Sequence, residues 1–365
     1  FLAINIMNHY ILASLLAFVL SAVLTPFIKQ LAWRWHIVDR PDQIRKLQTK
    51  PVALLGGWAI FIAASIAMWL FRDYLVAGDL TGRHWLGVWI GGLVLMIGGT
   101  LDDCYNLRPS TQLLFSIAAI TAVIAGGVGI NKITGLNGEL IFLNKWQINL
   151  FEWRGIMRHF VVVADLFTFA WLLALMYTTK LLDGLDGLVT GLISIGSIII
   201  ALFTLTTKYY QPDIALASLI FAAACAGFLL YNWSPAKIYL GDGGSLLLGY
   251  FLGVLAIISG GKIAIALLIM GIPMLDVVWV VIRRVLSGKN PLKSADRQHL
   301  HYRLLELGWG VRRSVLVYYF LALIFGVSAL FLQSQGKRLA LLLLFLVMAI
   351  IVVYFSRLDK ARKRP

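Results

Sequence analysis

Five aspartates in three glycine-rich stretches hold the chemistry this sequence can do. Asp102 and Asp103 close the run Gly98-Gly99-Thr100-Leu101-Asp102-Asp103. Asp183 and Asp186 stand in Leu182-Asp183-Gly184-Leu185-Asp186-Gly187-Leu188, and Asp242 stands in Tyr239-Leu240-Gly241-Asp242-Gly243-Gly244-Ser245. Carboxylates are hard oxygen ligands, and without a Cys/His cluster beside them they favour Mg2+ or Mn2+ over zinc. Mg2+ commonly takes one or two carboxylates and completes its shell with substrate phosphates. Asp183 and Asp186, three apart, share one face if the segment makes a helical turn. The glycines between them leave room for a bulky anion to approach the backbone. A single acid beside an apolar run often only solvates a loop. Five of them in three such loops point to a shared metal and phosphate site.

The elements that must position these acids are set by the solvent of the chain. Its 365 residues are 60% hydrophobic and 13% charged, with mean hydropathy +0.85, which excludes an ordinary water-soluble domain. A bilayer core about 30 Å thick needs roughly 20 apolar residues per helix. Eleven candidate runs meet that description: 9–32, 52–71, 85–101, 111–129, 161–181, 188–207, 213–231, 243–259, 262–284, 313–333 and 338–356. The fold class is therefore an all-α integral membrane protein, a single polytopic unit over residues 1–365. Lys and Arg number 32 against 17 Asp and Glu. In so apolar a chain that excess points to anionic lipid surfaces rather than to DNA or RNA, and no nucleic-acid partner is expected.

Charge also orients the spans. Connections on one side, with the C-terminal tail, carry 21 basic residues and those on the other side 10, so the richer side and the C-terminus are expected in the cytosol and the N-terminus outside. All three acidic stretches then fall at cytosolic helix ends, sparing the roughly 2.5–3.5 kcal/mol of placing a charge mid-bilayer. Asp102 and Asp103 end a helix, where the macrodipole disfavours anions, so a positive partner is expected beside them.

Among the connections, 131–158 reads as an extracytoplasmic β-hairpin. The cytosolic stretch 285–312 reads as a turn at Ser287–Pro291 and then a short helix rich in Arg and His. Pro273 is expected to bend or interrupt the ninth run. Gly56-Gly57, Gly91-Gly92 and Gly98-Gly99 are assigned to close helix packing. Trp33, Trp35 and Trp69 are assigned to the membrane interface, and the basic tail 357–364 to a positive-inside anchor. The first run lacks a basic leader and cleavage site and is taken as a retained helix. Cys104 and Cys225 do not suggest a disulfide framework.

Several blocks together resemble the polyprenyl-phosphate N-acetylhexosamine-1-phosphate transferases, most of all the bacterial undecaprenyl-phosphate GlcNAc-1-phosphate branch. They are Val38-Asp39-Arg40-Pro41 with Arg45-Lys46, Leu55-Gly56-Gly57, the three acidic stretches, and Asn232-Trp233-Ser234-Pro235-Ala236-Lys237 leading into Ile238 and Tyr239. The most specific is Pro273-Met274-Leu275-Asp276 followed by Arg283-Arg284 and Asp296-Arg297-Gln298-His299-Leu300-His301. The resemblance implies transfer of HexNAc-1-phosphate from a UDP-N-acetylhexosamine to a polyprenyl phosphate, with Mg2+ as cofactor and a homodimeric state. It implies Asp242 as magnesium ligand, joined by Asp183 or Asp102, and catalytic roles for Asp102, Asp103, Asp183, Asp186, His299 and His301. Substrate contacts are implied for Asn232, Tyr239, Arg297, Arg45, Lys46, Lys180 and Ser245, with Tyr239 stacking on uracil. The chain departs from the family pattern in having Tyr302 for a third histidine, Tyr177 and Lys180 for two asparagines, Gln48 for a histidine and Gln112 for a lysine.

Other readings separate on simple grounds. The muramoyl-pentapeptide branch shares the acids, and its donor carries a peptide. A transporter would place carboxylates at mid-bilayer between broken helices in both halves of the chain, whereas these acids lie at helix ends. A non-catalytic scaffold would release no UMP.

Overall fold

The computed structural model describes every residue except 1, 42–47, 49, 77, 79, 136–138, 154–155, 207–209, 261–262, 289–298 and 363–365. Helix α1 (Leu2–Arg34) leads into a short pair, β1 (Val38–Asp39) with β2 (Val52–Ala53), and then α2 (Gly56–Leu70), the single turn α3 (Arg72–Leu75), α4 (Gly82–Tyr105) and α5 (Pro109–Gly126). After β3 (Lys132–Thr134), β4 (Leu140–Phe142), β5 (Gln147–Trp153) and β6 (Ile156–Val161) come α6 (Val162–Leu182), α7 (Leu188–Thr204), α8 (Pro212–Asn232), α9 (Gly241–Ile258) and α10 (Ile263–Leu286). The short α11 (Leu300–Glu306), α12 (Val311–Phe331) and α13 (Ser334–Arg362) close the chain.

Nine helices among the described residues are long and apolar enough to cross a membrane, which makes this a multi-pass membrane protein. All eleven expected runs are helical, but α2 and α7 have only 15 and 17 residues. At 1.5 Å per residue they reach about 23 and 26 Å, short of a full core. Stretch 131–158 also differs from expectation. It holds two antiparallel pairs, β3 with β4 and β5 with β6, and the second runs on to Val161. Helix α10 continues through Pro273 without interruption. Trp33, Trp35 and Trp69 are exposed near the ends of α1 and α2.

The core is built round α9. Of its apolar window 89% is buried, against 22% for α13, the distribution of a helix that is hydrophobic on every side and surrounded by protein. It packs against α2, α4, α6, α7 and α10. Glycine lets α2 and α4 approach it. A β-carbon on Gly99 would lie 2.0 Å from the Gly243 nitrogen, and one on Gly57 would lie 2.3 Å from the Gly244 α-carbon. The same approach joins distant motifs. The free N–H groups of Gly56 and Gly57, at the start of α2, donate to the carbonyls of Tyr239 and Leu240 at 2.9 Å, satisfying donors that a helix N-terminus leaves open.

Gly99→Ala is expected to lower the melting temperature of the detergent-purified protein, because forced contact in a packed core costs about 1–3 kcal/mol. Gly82→Ala, where a β-carbon meets nothing within 4 Å, should melt like the parent. Equal melting of all three would remove this crossing as the element that fixes α4 on α9.

Candidate active site

The site forms where three helix ends meet: the C-termini of α4 and α6 and the N-terminus of α9. Asp102 and Asp103 occupy the last turn of α4, Lys180 the last turn of α6, and Asp242 the first turn of α9. A cation at a helix C-terminus and an anion at an N-terminus are both favoured by the macrodipole, whereas Asp102 and Asp103 are not. Lys180 is the positive partner they require. Its ammonium lies 3.0 Å from Asp242 Oδ2 and 3.4 Å from Asp102 Oδ2.

The ammonium is held by a closed ring of hydrogen bonds. Lys180 Nζ also donates to Gln112 Oε1 at 2.8 Å, and Gln112 Nε2 donates to the Leu107 carbonyl at 3.1 Å. The Leu107 N–H donates to Asp102 Oδ1 at 2.8 Å, which returns to the starting carboxylate. Two of the departures from the family pattern, Gln112 and Lys180, are thus direct neighbours. Asp103 plays a different part. Its two oxygens accept the Asp242 N–H at 3.2 and 3.3 Å. The α9 N-cap residue makes no side-chain cap, so Asp103 supplies that acceptor from another helix.

Asp183 follows the end of α6 and accepts no hydrogen bond among the described residues. Burial, then the charges of Asp242 and Asp186, push its carboxyl up to about 8. Asp183 to Gly187 form turns rather than helix, which corrects the shared helical face expected for Asp183 and Asp186. Asp186 Oδ2 instead accepts the Ala236 N–H at 2.9 Å and braces the loop before α9. No three His, Cys, Asp or Glu side chains among the described residues come together as a ready metal site. The unpartnered Asp183 near Asp242 still fits a divalent cation that takes two carboxylates and fills its shell with phosphate oxygens.

Segment 299–302 docks on the acidic loop. His299 Nδ1 and Asp276 Oδ2 lie 2.9 Å apart, and the Leu300 N–H donates to Asp276 Oδ1 at 3.0 Å. The His301 ring stacks on His299 with centroids 5.6 Å apart, and its Nε2 would lie 2.7 Å from a β-carbon on Gly184. Both His301 nitrogens are buried without a partner. Burial, then the neighbouring His299, pushes its pKa down to about 3. The motif that contains Asp276 does not by itself show what Asp276 does. The available signal was an acid inside an apolar helix, which is costly unless a partner is supplied.

The remaining candidates divide. Asn232 is buried, with Oδ1 accepting the Thr190 hydroxyl at 2.9 Å and Nδ2 donating to the Ile238 carbonyl at 3.0 Å. Ser245 donates to the Asp242 carbonyl at 3.0 Å. Asn232 thus braces the approach to α9, and Ser245 returns to the first turn of its own helix. The Tyr239 hydroxyl donates to Gln48 Oε1 at 3.3 Å, and burial raises its pKa. Arg45, Lys46 and Arg297 lie outside the described residues.

Lys180→Met should cost several kcal/mol, since removing one partner leaves partly buried charge unmatched, while Gln112→Leu should cost about 1 kcal/mol, one hydrogen bond. Thermal melts in detergent check the order, and equal losses would break the ring as described. A histidine whose folded pKa lies below its unfolded value near 6.5 is neutral in both states at pH 7.5, and it favours unfolding as pH falls from about 6.5 toward 3. Amide exchange in Leu300–Glu306, corrected for intrinsic rate, should therefore be faster at pH 5.5 than at 7.5, and His301→Asn should flatten the difference.

Known proteins resemble this chain over most of its length. The family model described as "Glycosyl transferase family 4" matches residues 85–260, which span the acidic stretches on α4, α6 and α9. A probable undecaprenyl-phosphate N-acetylglucosaminyl 1-phosphate transferase of Bacillus subtilis is 31% identical over 93% of this chain and 90% of its own. A decaprenyl-phosphate N-acetylglucosaminephosphotransferase of Mycolicibacterium smegmatis is 28% identical over 96% of this chain and 89% of its own. A phospho-N-acetylmuramoyl-pentapeptide-transferase of Desulforudis audaxviator is 27% identical over 88% and 97%. With a relative this similar along nearly its whole length, the chain belongs to the polyprenyl-phosphate N-acetylhexosamine-1-phosphate transferase family.

Proposed function

We propose that this enzyme transfers N-acetylhexosamine-1-phosphate, in the first place GlcNAc-1-phosphate, from a UDP-sugar to undecaprenyl or another polyprenyl phosphate. An oxygen of the lipid phosphate attacks the sugar-bearing phosphorus, the pyrophosphate P–O bond breaks, and UMP leaves. The product is a lipid pyrophosphate sugar, the starting unit of a cell-envelope glycan. The single observation that carries the reading is the meeting of Asp102 and Asp242 on Lys180, with Asp103 capping Asp242. A reaction between two phosphate-bearing anions needs positioning and charge neutralisation more than covalent chemistry.

Asp242 and Asp183, with Asp102 alongside, would hold Mg2+ or Mn2+, which when bound neutralises pyrophosphate charge and stabilises the leaving UMP. Lys180 keeps Asp102 and Asp242 at a fixed spacing and presents an ammonium to the phosphates. Asp103 holds the N-terminus of α9 in place, where backbone N–H groups suit a phosphate, and it orients the lipid phosphate for in-line attack. Asp186 fixes the loop that carries Tyr239, the ring assigned to uracil. Asp276 sets the orientation of His299, and His299 and His301 bring segment 299–302 against the donor. Arg45, Lys46 and Arg297 are assigned to phosphate contacts. The excess of basic residues on one side supports a cytosolic site and C-terminus, and the family resemblance supports a homodimer in a bacterial inner membrane.

The test is UMP release by purified protein with undecaprenyl phosphate, Mg2+ and a panel of UDP-sugars. UDP-GlcNAc should turn over, chelator should stop it, and Asp242→Asn should lower the rate by about a hundredfold or more, the scale of losing one charge-stabilising group. Turnover of only the peptide-bearing muramoyl donor would move the chain to the other branch. Near-normal rates in Asp242→Asn would overturn the site.

A further inference from the structure

A cavity roomier than the space at the acids lies elsewhere in the fold. The space beside Asp102, Gln112 and Lys180 measures about 10 Å3, whereas a cleft of about 410 Å3 opens between the C-terminal halves of α1 and α8. Pro26, Lys29, Gln30 and Trp33 line it from α1, Tyr231 from α8, and Lys237 from the loop that follows. None of the five motif aspartates lines it. The volume falls within the roughly 300–1,000 Å3 of small-molecule sites.

Two features of the cleft set the chemistry of an occupant. The first is charge. Lys29 and Lys237 enter one cavity, and neither ammonium has a carboxylate partner among the described residues. Two like charges with no counter-ion call for an anion between them. The second is an apolar track. The α1 face that carries Pro26, Gln30 and Trp33 continues at helical spacing through Val23, Val19, Leu15 and Leu12, which are 45–56% exposed. Trp33 and Tyr231 at the mouth are amphipathic rings of the kind that settle at headgroup depth.

We propose that this cleft binds an anionic glycerophospholipid, with its phosphate between Lys29 and Lys237 and an acyl chain along the Leu12–Val23 face of α1. The site is separate from the acids and does not depend on the transferase reading. Its occupant belongs to the surrounding bilayer and is not consumed. Because Lys237 lies five residues before Asp242, a bound headgroup also anchors the loop that leads into α9.

Native mass spectrometry of the full chain in neutral detergent tests this with phosphatidylglycerol as probe. The parent protein should hold phosphatidylglycerol well above phosphatidylcholine. Lys29→Ala with Lys237→Ala should weaken phosphatidylglycerol by about 25-fold, about fivefold for each lysine near an anionic headgroup. Lys29→Arg with Lys237→Arg keeps the charge and should keep the lipid, which separates lost binding from lost folding. Equal retention of phosphatidylcholine, or unchanged phosphatidylglycerol binding in the alanine pair, would overturn the proposal. So would displacement by millimolar inorganic phosphate, which would make the site one for a free anion, or by equimolar undecaprenyl phosphate, which would make it an acceptor site.

Discussion

The ammonium of Lys180 between Asp102 and Asp242 is the interaction on which the site depends. Three helix ends bring carboxylates to one point, and carboxylates gathered in a partly buried space repel one another unless a cation stands among them. Lys180 makes that gathering possible, at 3.0 and 3.4 Å from the two acids. Gln112 then removes the freedom of a long flexible side chain by tying the ammonium to the Leu107 carbonyl. A lysine in this place is compatible with a metal that arrives with substrate, because phosphate oxygens bring their own negative charge.

Helix α9 is the element on which α2, α4 and α6 all pack. Its glycines allow α2 and α4 to pack at backbone distance, its first turn is capped by Asp103, and the loop before it is braced by Asp186 and Asn232. Asp186, Asn232 and Ser245 each hydrogen-bond within this part of the scaffold. The physical reason is common to them. A helix N-terminus aimed at a phosphate has backbone donors that must be satisfied on every side except the one facing the ligand.

Segment 299–302 rests on the turn that follows α6. Asp276, buried within α10, holds His299, and His301 rests on Gly184 with both ring nitrogens unpaired. Buried polar atoms without partners are uncommon, and here they lie against the turn that carries Asp183. These contacts gather at the end of the bundle where α4, α6 and α8 finish and α9 begins, and the cleft between α1 and α8 opens at that same end without being lined by the motif acids.

Composition and hydropathy determined that the chain lives in lipid, because nothing else accommodates so many apolar residues in runs of spanning length. The Gly-Asp stretches determined which side chains could bind metal and phosphate, since residue type and local spacing are properties of the sequence itself. The missing positive partner for Asp102 and Asp103 was legible as a need. Its identity as Lys180 was not, because the two stretches are 78 residues apart and only helix packing makes them neighbours. The different duties of Asp183 and Asp186 were likewise hidden, since their spacing fits one helical face and the chain makes turns there instead. Asp276 could be read as an acid in an apolar helix but not as the partner of His299. Tertiary structure alone decided these pairings, because a hydrogen bond at 3 Å depends on where separate helices end, and sequence spacing sets geometry only within one element.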